Sequence, residues 1–292
     1  MIFINFIFCI ILNNMNEAIL QFSCPDKPGI VAKLSNLFFK HNINIISASQ
    51  FSSDYFNGDF FLRMKISSYD TSFNLIQDEL KSIALSFSGQ FNLFSTDQPL
   101  KVSILVSKTD HCLKECLYRY KSGDLPIHID SIISNHDCHQ DLCAFYNVPF
   151  HFLPVTKSNK QEDKILGLTQ NTNLIILARY MQVLSPNFLA SYSHDIINIH
   201  HSFLPSFKGA NPYLQAFEKG VKIIGATAHF VTEDLDEGPI ISQNISSISH
   251  KHTISEIKQK SQILEKTTLA DTIKLYAEHR IFKYKNKTII FD

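Results

Sequence analysis

The chain has 292 residues, enough for two domains, and its 45% hydrophobic and 18% charged content is that of a globular protein with a buried core. Lys plus Arg and Asp plus Glu both number 27, so no overall basic excess points to nucleic acid or to an anionic membrane surface. Six cysteines, Cys9, Cys24, Cys112, Cys116, Cys138 and Cys143, form no regular disulfide framework. A chain of this size does not need one, so reduced thiols in a cytoplasmic protein are expected.

Residues 1–12 are almost wholly apolar but lack the Lys or Arg of a signal peptide and a small-residue cleavage site. They are also shorter than the ~20 residues that span a bilayer. Met15 directly precedes the first recognisable element, so translation is expected to start there, with 1–16 as an extension.

The predicted elements then run in order. Residues 18–23 read as a strand, 24–29 as a turn and 30–41 as an amphipathic helix with Ile30, Val31, Leu34, Leu37 and Phe38 at helical spacing. A strand to about residue 51, a hairpin turn at Asn57-Gly58, a strand over 60–66, a helix over 71–87 and a strand over 90–94 complete a βαββαβ, ferredoxin-like domain. The stretch CPDKPGIVAKLSNLFFKHNINIISASQ, residues 24–50, resembles an ACT domain, a small module that often binds amino acids. The resemblance implies a regulatory ligand at Asp26, Gly29 and Ile30. There glycine permits a close backbone approach and the helix start offers free N–H groups to a carboxylate.

The polar stretch 95–99 makes a domain boundary, separating an ACT-like domain over 17–95 from a second domain over 100–292. Strands over 101–107, 127–134, 150–153 and 174–178 alternate with helices over 111–122 and 160–168, which argues a doubly wound, mostly parallel sheet. His136, Cys138, His139 and Cys143 match no standard zinc spacing, and no metal is expected there. The loop after the first of these strands, Ser107 to His111, has no glycine to let backbone N–H groups converge on a phosphate.

Residues 195–199 form a short apolar strand ending at Asn198, His200 and His201. A loop with Pro205 and Gly209, a helix over 212–219 and a strand over 221–230 carrying His229 follow. The acidic turn 232–239 leads to a third strand from Ile240. Parallel α/β sheets place ligands beyond the carboxyl ends of their strands. Asn198, His200 and Asp236 would therefore meet, bringing together an amide, an imidazole and a carboxylate that can polarise a carbonyl, stabilise an oxyanion and activate water. An acidic turn holding Asp234 and Asp236 is ordinarily solvated, and a lone histidine near a strand end is ordinarily a satisfied polar group; the joint pattern outweighs both readings. At the far end Thr253 and Glu256 form a capping-box pattern before a helix with Ile257, Leu264, Leu269, Ile273 and Tyr276, and 280–291 reads as a hairpin.

NIHHSFLPSFKGANPY at 198–213 and GATAHFVTEDLDEGPIISQ at 225–243 resemble the folate-dependent formyltransferase fold, and the double histidine is similar to its formyltetrahydrofolate deformylase branch. The resemblance covers 18–292. It implies hydrolysis of 10-formyltetrahydrofolate to formate and tetrahydrofolate, with folate as substrate and no cofactor. Asn198, His200 and Asp236 become the catalytic set, with Asp236 either directing water or keeping His200 charged. RYMQVL at 179–184 corresponds to backbone and apolar side chains that line the pterin pocket, giving Arg179, Tyr180, Met181, His229 and Val231 as substrate-binding residues. His201 marks the branch. Glycinamide ribonucleotide formyltransferases carry a Gly-rich loop where this chain has SKTDH at 107–111, which argues against a ribonucleotide acceptor. Nor is the extra basic domain of a transfer-RNA formyltransferase expected. Asn211 stands where many relatives have a longer or charged residue. An ACT domain further implies a homo-oligomer and an amino-acid effector, with glycine or methionine natural choices; neither nucleic acid nor a membrane is expected as partner.

Overall fold

The structure, a computed structural model, describes residues 16–54, 57–68, 73–156, 159–206 and 212–292, with backbone alone at Pro212 and Tyr213. Residues 1–15 of the expected 1–16 extension, with the expected start at Met15, lie outside the described residues, as do Gly209 and Asn211. The chain divides into two compact units, 1–98 with 291–292, and 99–290.

In the first unit, β1 (Asn16–Pro25), β2 (Asn44–Ser52), β3 (Asp59–Ser68) and β4 (Gln90–Ser95) form an antiparallel sheet in the order β2-β3-β1-β4. Alternation along β1 and β3 sends Leu20, Phe22, Leu62, Met64 and Ile66 to one face. There α1 (Ile30–Lys40) contributes Ile30, Leu34, Leu37 and Phe38, and α2 (Gln77–Ser86) contributes Leu80 and Ala84. The helix expected over 71–87 begins, within the described residues, as a 3₁₀ turn, Phe73–Ile76. The buried i, i+4 spacing that an α-helix needs starts only at Ile76, Leu80 and Ala84. Gly58 serves the predicted hairpin by close approach: a Cβ there would lie 2.4 Å from the Asp54 nitrogen.

The second unit is built on β5 (Leu100–Val106), β6 (Ile127–Ser134), β7 (Phe150–Phe152), β8 (Leu174–Leu177), β9 (Asp195–His200), β10 (Ile223–Phe230) and β11 (Ile240–Ser247). The sheet order is β11-β10-β9-β8-β5-β6-β7. The run β9-β8-β5-β6-β7 is parallel, whereas β10 is antiparallel to both β9 and β11. β12 (Ile281–Tyr284) and β13 (Lys287–Ile290) form the terminal hairpin.

Both faces of the parallel strands are apolar, as a doubly wound sheet requires. On one, Val102, Ile104, Ile132, Ile176 and Ile197 pack with α3 (His111–Ser122), α4 (Gln140–Phe145) and α8 (Ile254–Ala277). On the other, Leu105, Ile133, Ile175 and Ile196 pack with Ile165 of α5 (Glu162–Thr169) and Phe188 of α6 (Pro186–Ser191). α7 (Pro212–Glu218) precedes β10. The short helices α4 and α6 were not among the expected elements. The start of α6 carries a readable signal: the Ser185 hydroxyl accepts from Phe188 N, and Pro186 occupies the first helical position. The capping box at Thr253 and Glu256 is formed in full. No described helix is long and apolar enough to cross a membrane.

Ile176 is fully buried in the central strand β8. Ile176→Ala should cost about 2–5 kcal/mol in urea unfolding, through lost transfer energy and a residual cavity. Leu85→Ala, at a site left 70% exposed, should stay within about 0.5 kcal/mol of wild type.

Candidate functional site

Alternation along β9 turns Ile197 and Ile199 to one core and sets Asn198 and His200 together on the other face. The antiparallel partner β10 places His229 directly across from Asn198. The acidic turn then carries Asp236 back toward both strands. Its carboxylate is 14% exposed, with Oδ2 at 3.2 Å from His200 Nδ1 and Oδ1 at 3.6 Å from His229 Nε2. His229 Nδ1 donates to Phe230 O at 2.9 Å, and its Nε2 faces the Asn198 amide nitrogen at 3.1 Å. The structure thus gathers four of the expected residues, Asn198, His200, His229 and Asp236.

Two local features hold Asp236 in place. Its backbone is left-handed, φ 58°, a conformation that Asp tolerates better than most residues. Gly238 lets the turn fold onto β10, since a Cβ there would lie 1.9 Å from Phe230 O. Burial opposes ionisation of Asp236, but hydrogen bonds from His200 and His229 outweigh it and hold the carboxyl well below the usual range. His200 is buried, and its Nε2 has no hydrogen-bond partner. An imidazole oriented through Nδ1 by a carboxylate, with Nε2 unengaged, is arranged to donate to a developing oxyanion or to move a proton.

His201 lies beside it, ring centroids 5.2 Å apart. Burial, then the Arg179 cation, push the His201 imidazolium down to about 3, so this ring is neutral around pH 7. The segment that follows is clasped from the sheet. Thr227 Oγ1 donates to Ser202 O at 2.9 Å and accepts from Leu204 N at 3.1 Å, and Gln243 Nε2 donates to both Thr227 Oγ1 and Leu204 O.

The chain leaves β5 for one side of the sheet and β8 for the other, which makes the gap beyond their carboxyl ends the topological switch point. Ser107 bridges it. Its N–H donates to Arg179 O at 3.2 Å, its hydroxyl accepts from Met181 N at 2.9 Å and donates to Asn135 Oδ1 at 2.8 Å. Met181 is 58% exposed, Tyr180 is buried in the α6 core, and Val231 packs at that core's margin, its N–H on Ile196 O. The Arg179 side chain turns inward, Nε 3.3 Å from Glu265 Oε2.

Glu265 and His111 were not foreseen from sequence. His111 Nε2 lies 2.9 Å from Glu265 Oε2, and the Ser261 hydroxyl donates to Oε1 at 3.2 Å. A signal existed: Ile257, Ser261, Glu265, Leu269 and Ile273 recur every fourth residue on α8 and are all buried, so a carboxylate stands in an apolar stripe. His111, Cys112 and Glu265 offer atoms within 4.8 Å of one another. The set does not suit a cation. Arg179 already balances the carboxylate, and burial keeps the Cys112 thiol protonated well above its usual range. In the His136–Cys143 stretch His139 Nε2 donates to Ser107 O at 2.5 Å, and Cys143 is buried in the core.

In the first unit Gly29 starts α1 with φ 94°, and the Asp26 carboxylate accepts from the Ser52 hydroxyl. The Ile30 side chain lies in the core, leaving its backbone alone to face a ligand.

Comparison with known proteins fits this architecture. The Formyl transferase family model matches residues 100–273, and the ACT domain model matches 18–65. Formyltetrahydrofolate deformylase of Bacillus subtilis is 40% identical over 285 residues, covering 96% of this chain and 95% of its own. The protein of that name from Synechocystis sp. is 42% identical over 282 residues, covering 94% and 98%. A crystal structure of formyltetrahydrofolate deformylase from Burkholderia mallei superposes with a TM-score of 0.89 at 40% identity, over 95% of this chain and 100% of that one. With an ACT-like unit, a formyl transferase sheet and whole-length relatives of one name, the chain belongs to the formyltetrahydrofolate deformylase family.

Proposed function

We propose that the chain hydrolyses 10-formyltetrahydrofolate to formate and tetrahydrofolate, supplying formate for purine synthesis and restoring free folate. The observation that carries the mechanism is the buried, unpartnered Nε2 of His200, oriented from behind by Asp236. Water adds to the formyl carbon and sheds a proton, the resulting oxyanion is stabilised by His200 and Asn198, and the carbon–nitrogen bond breaks as that proton is passed to the leaving nitrogen. The Asp236 carboxyl, held below its usual range, supports a role as a standing anion behind His200 over that of a raised-pKa base. The pterin would lie against the exposed Met181 and the 179–181 backbone, with Tyr180, Val231 and His229 behind it. Residues 100–292 would form the catalytic domain and 17–95 the regulatory one, acting in a homo-oligomer. Asp26, Gly29 and the Ile30 backbone would receive an amino acid such as glycine or methionine. The free described cysteines support a cytoplasmic setting.

Wild-type protein given 10-formyltetrahydrofolate and water alone should release formate and tetrahydrofolate in equal amounts, without any amine acceptor. Asp236→Asn should lower kcat by about 10²–10⁴, the usual scale for a proton-transfer partner. Formate release that persists unchanged in the variant would remove Asp236 from the mechanism. Gly238→Ala should lower kcat while leaving Asp236 chemically intact, because the added methyl displaces the turn from Phe230; circular dichroism at both wavelengths checks that the fold survives.

His201 gives a pH test. In the unfolded chain it binds a proton below about 6.5, in the folded chain only below about 3, so the unfolded state holds more protons between those values. Its contribution to stability is therefore lost as pH falls from about 6.5 toward 3. His201→Asn should flatten that part of the profile, read as urea midpoints at pH 7.5 and 5.

A further inference from the structure

Glu265 is fully buried in the middle of α8, on a stripe otherwise made of Ile257, Ser261, Leu269 and Ile273. A buried ion pair is weak support for stability, since well-packed apolar residues in its place do as well or better. Its position must be read from what it touches. Oε2 lies 3.3 Å from Arg179 Nε, an ion pair in which the buried Nε makes no hydrogen bond, and 2.9 Å from His111 Nε2, and Oε1 accepts from Ser261.

Arg179 is the more informative partner. It follows β8 with φ 64°, a left-handed backbone costly for a residue with a long side chain. Such strain persists only where the surroundings over-determine it. From the β5 side the turn is fixed through its backbone: Ser107 N donates to Arg179 O, and Met181 N donates to Ser107 Oγ. From the α8 side it is fixed through the Arg179 side chain by Glu265. The carboxylate at the centre of α8 and the hydroxyl at the end of β5 thus grip the same three residues, 179–181, from two directions.

We propose that Glu265 is a positioning residue for the folate-binding turn, acting through Arg179 to hold the backbone of Tyr180 and Met181 at the switch point. This rests on the reading above that the 179–181 turn receives the pterin. Glu265 touches no substrate. Replacing it with a neutral group leaves the Arg179 cation buried without its counter-charge, and the guanidinium must seek water. The left-handed turn then loses one of its two anchors. The effect falls on substrate binding more than on the chemical step, because the set around His200 is held separately by Asp236, His229 and the Thr227–Gln243 clasp.

The experiment is a double-mutant cycle on Glu265→Gln and Arg179→Met, reading the Kd for tetrahydrofolate by calorimetry and KM and kcat for formate release. Glu265→Gln keeps the shape and the bond from Ser261 but not the charge. Each single variant should weaken tetrahydrofolate binding and raise KM about tenfold, the scale for a partner one step removed from the ligand. In Glu265→Gln kcat should stay within about threefold of wild type. The double variant should bind no more weakly than the weaker single one, since both changes break one contact. Unchanged Kd in Glu265→Gln, or losses that add in the double variant, would overturn the proposal. If Glu265→Gln does not fold, Glu265→Asp, which keeps the charge but shortens its reach, replaces it, and an unchanged Kd there overturns the proposal equally. Wild-type formate release, measured in the same series, separates the two readings. Its absence sinks the hydrolase assignment, whereas normal release with an indifferent Glu265→Gln sinks only the role given to Glu265.

Discussion

The contact between the Asp236 carboxylate and His200 Nδ1 is the constraint around which the candidate site is arranged. It fixes the imidazole plane and leaves Nε2 as the one nitrogen of that ring not engaged. It also sets a requirement on the sheet. β10 runs antiparallel to β9 and ends with Phe230 opposite Ile197, so the following turn leaves on the amino side of β9 and has to fold back to bring Asp236 to His200. Gly238 is the backbone feature that lets the returning turn close.

Charge is placed on two levels around the carboxyl ends of β5, β8 and β9. Asp236 faces His200 and His229; Glu265 faces Arg179 and His111. Neither carboxylate is left without a cation or a ring nitrogen, as burial demands. His201 lies between the two groups and feels both, and the net effect of burial and the Arg179 charge keeps it neutral.

Much of this was legible in the sequence, and the reasons are local. Asn198 and His200 stand two apart in a strand, Asp236 follows in the next turn, and the whole set falls within 198–236, so alternation and topology suffice to bring them together. The βαββαβ order of the first unit and the capping box at Thr253 likewise depend on short-range patterns. What the sequence did not yield depends on long-range packing. Glu265 lies 86 positions after Arg179 and 154 after His111, and only the packing of α8 on the sheet brings them together. The inward turn of the Arg179 side chain was hidden for the same reason, since a cation after a strand ordinarily faces water. The helix α6 was missed despite its Ser-Pro start because six residues are too few to show a helical period.

The left-handed residues sharpen the distinction between architecture and site. Among the described residues eight non-glycine positions have positive φ. Asn42, Ser88, Asn147 and His279 follow helix C-termini and Lys285 sits in the terminal hairpin's turn, places where such a conformation is common, while Gln161 caps the start of α5. Asp236 and Arg179 differ. Each holds its side chain against a buried partner of opposite charge or a ring nitrogen, and each lies at the carboxyl end of the sheet. Asp accommodates that backbone readily; Arg does not, so at position 179 the conformation has to be imposed from outside the residue. The Ser107 hydrogen bonds impose it on the main chain and Glu265 on the side chain. A strained turn with two independent anchors is rigid where a relaxed one would sample alternatives, and rigidity at the rim of a site reduces the ordering that a ligand must otherwise supply on binding.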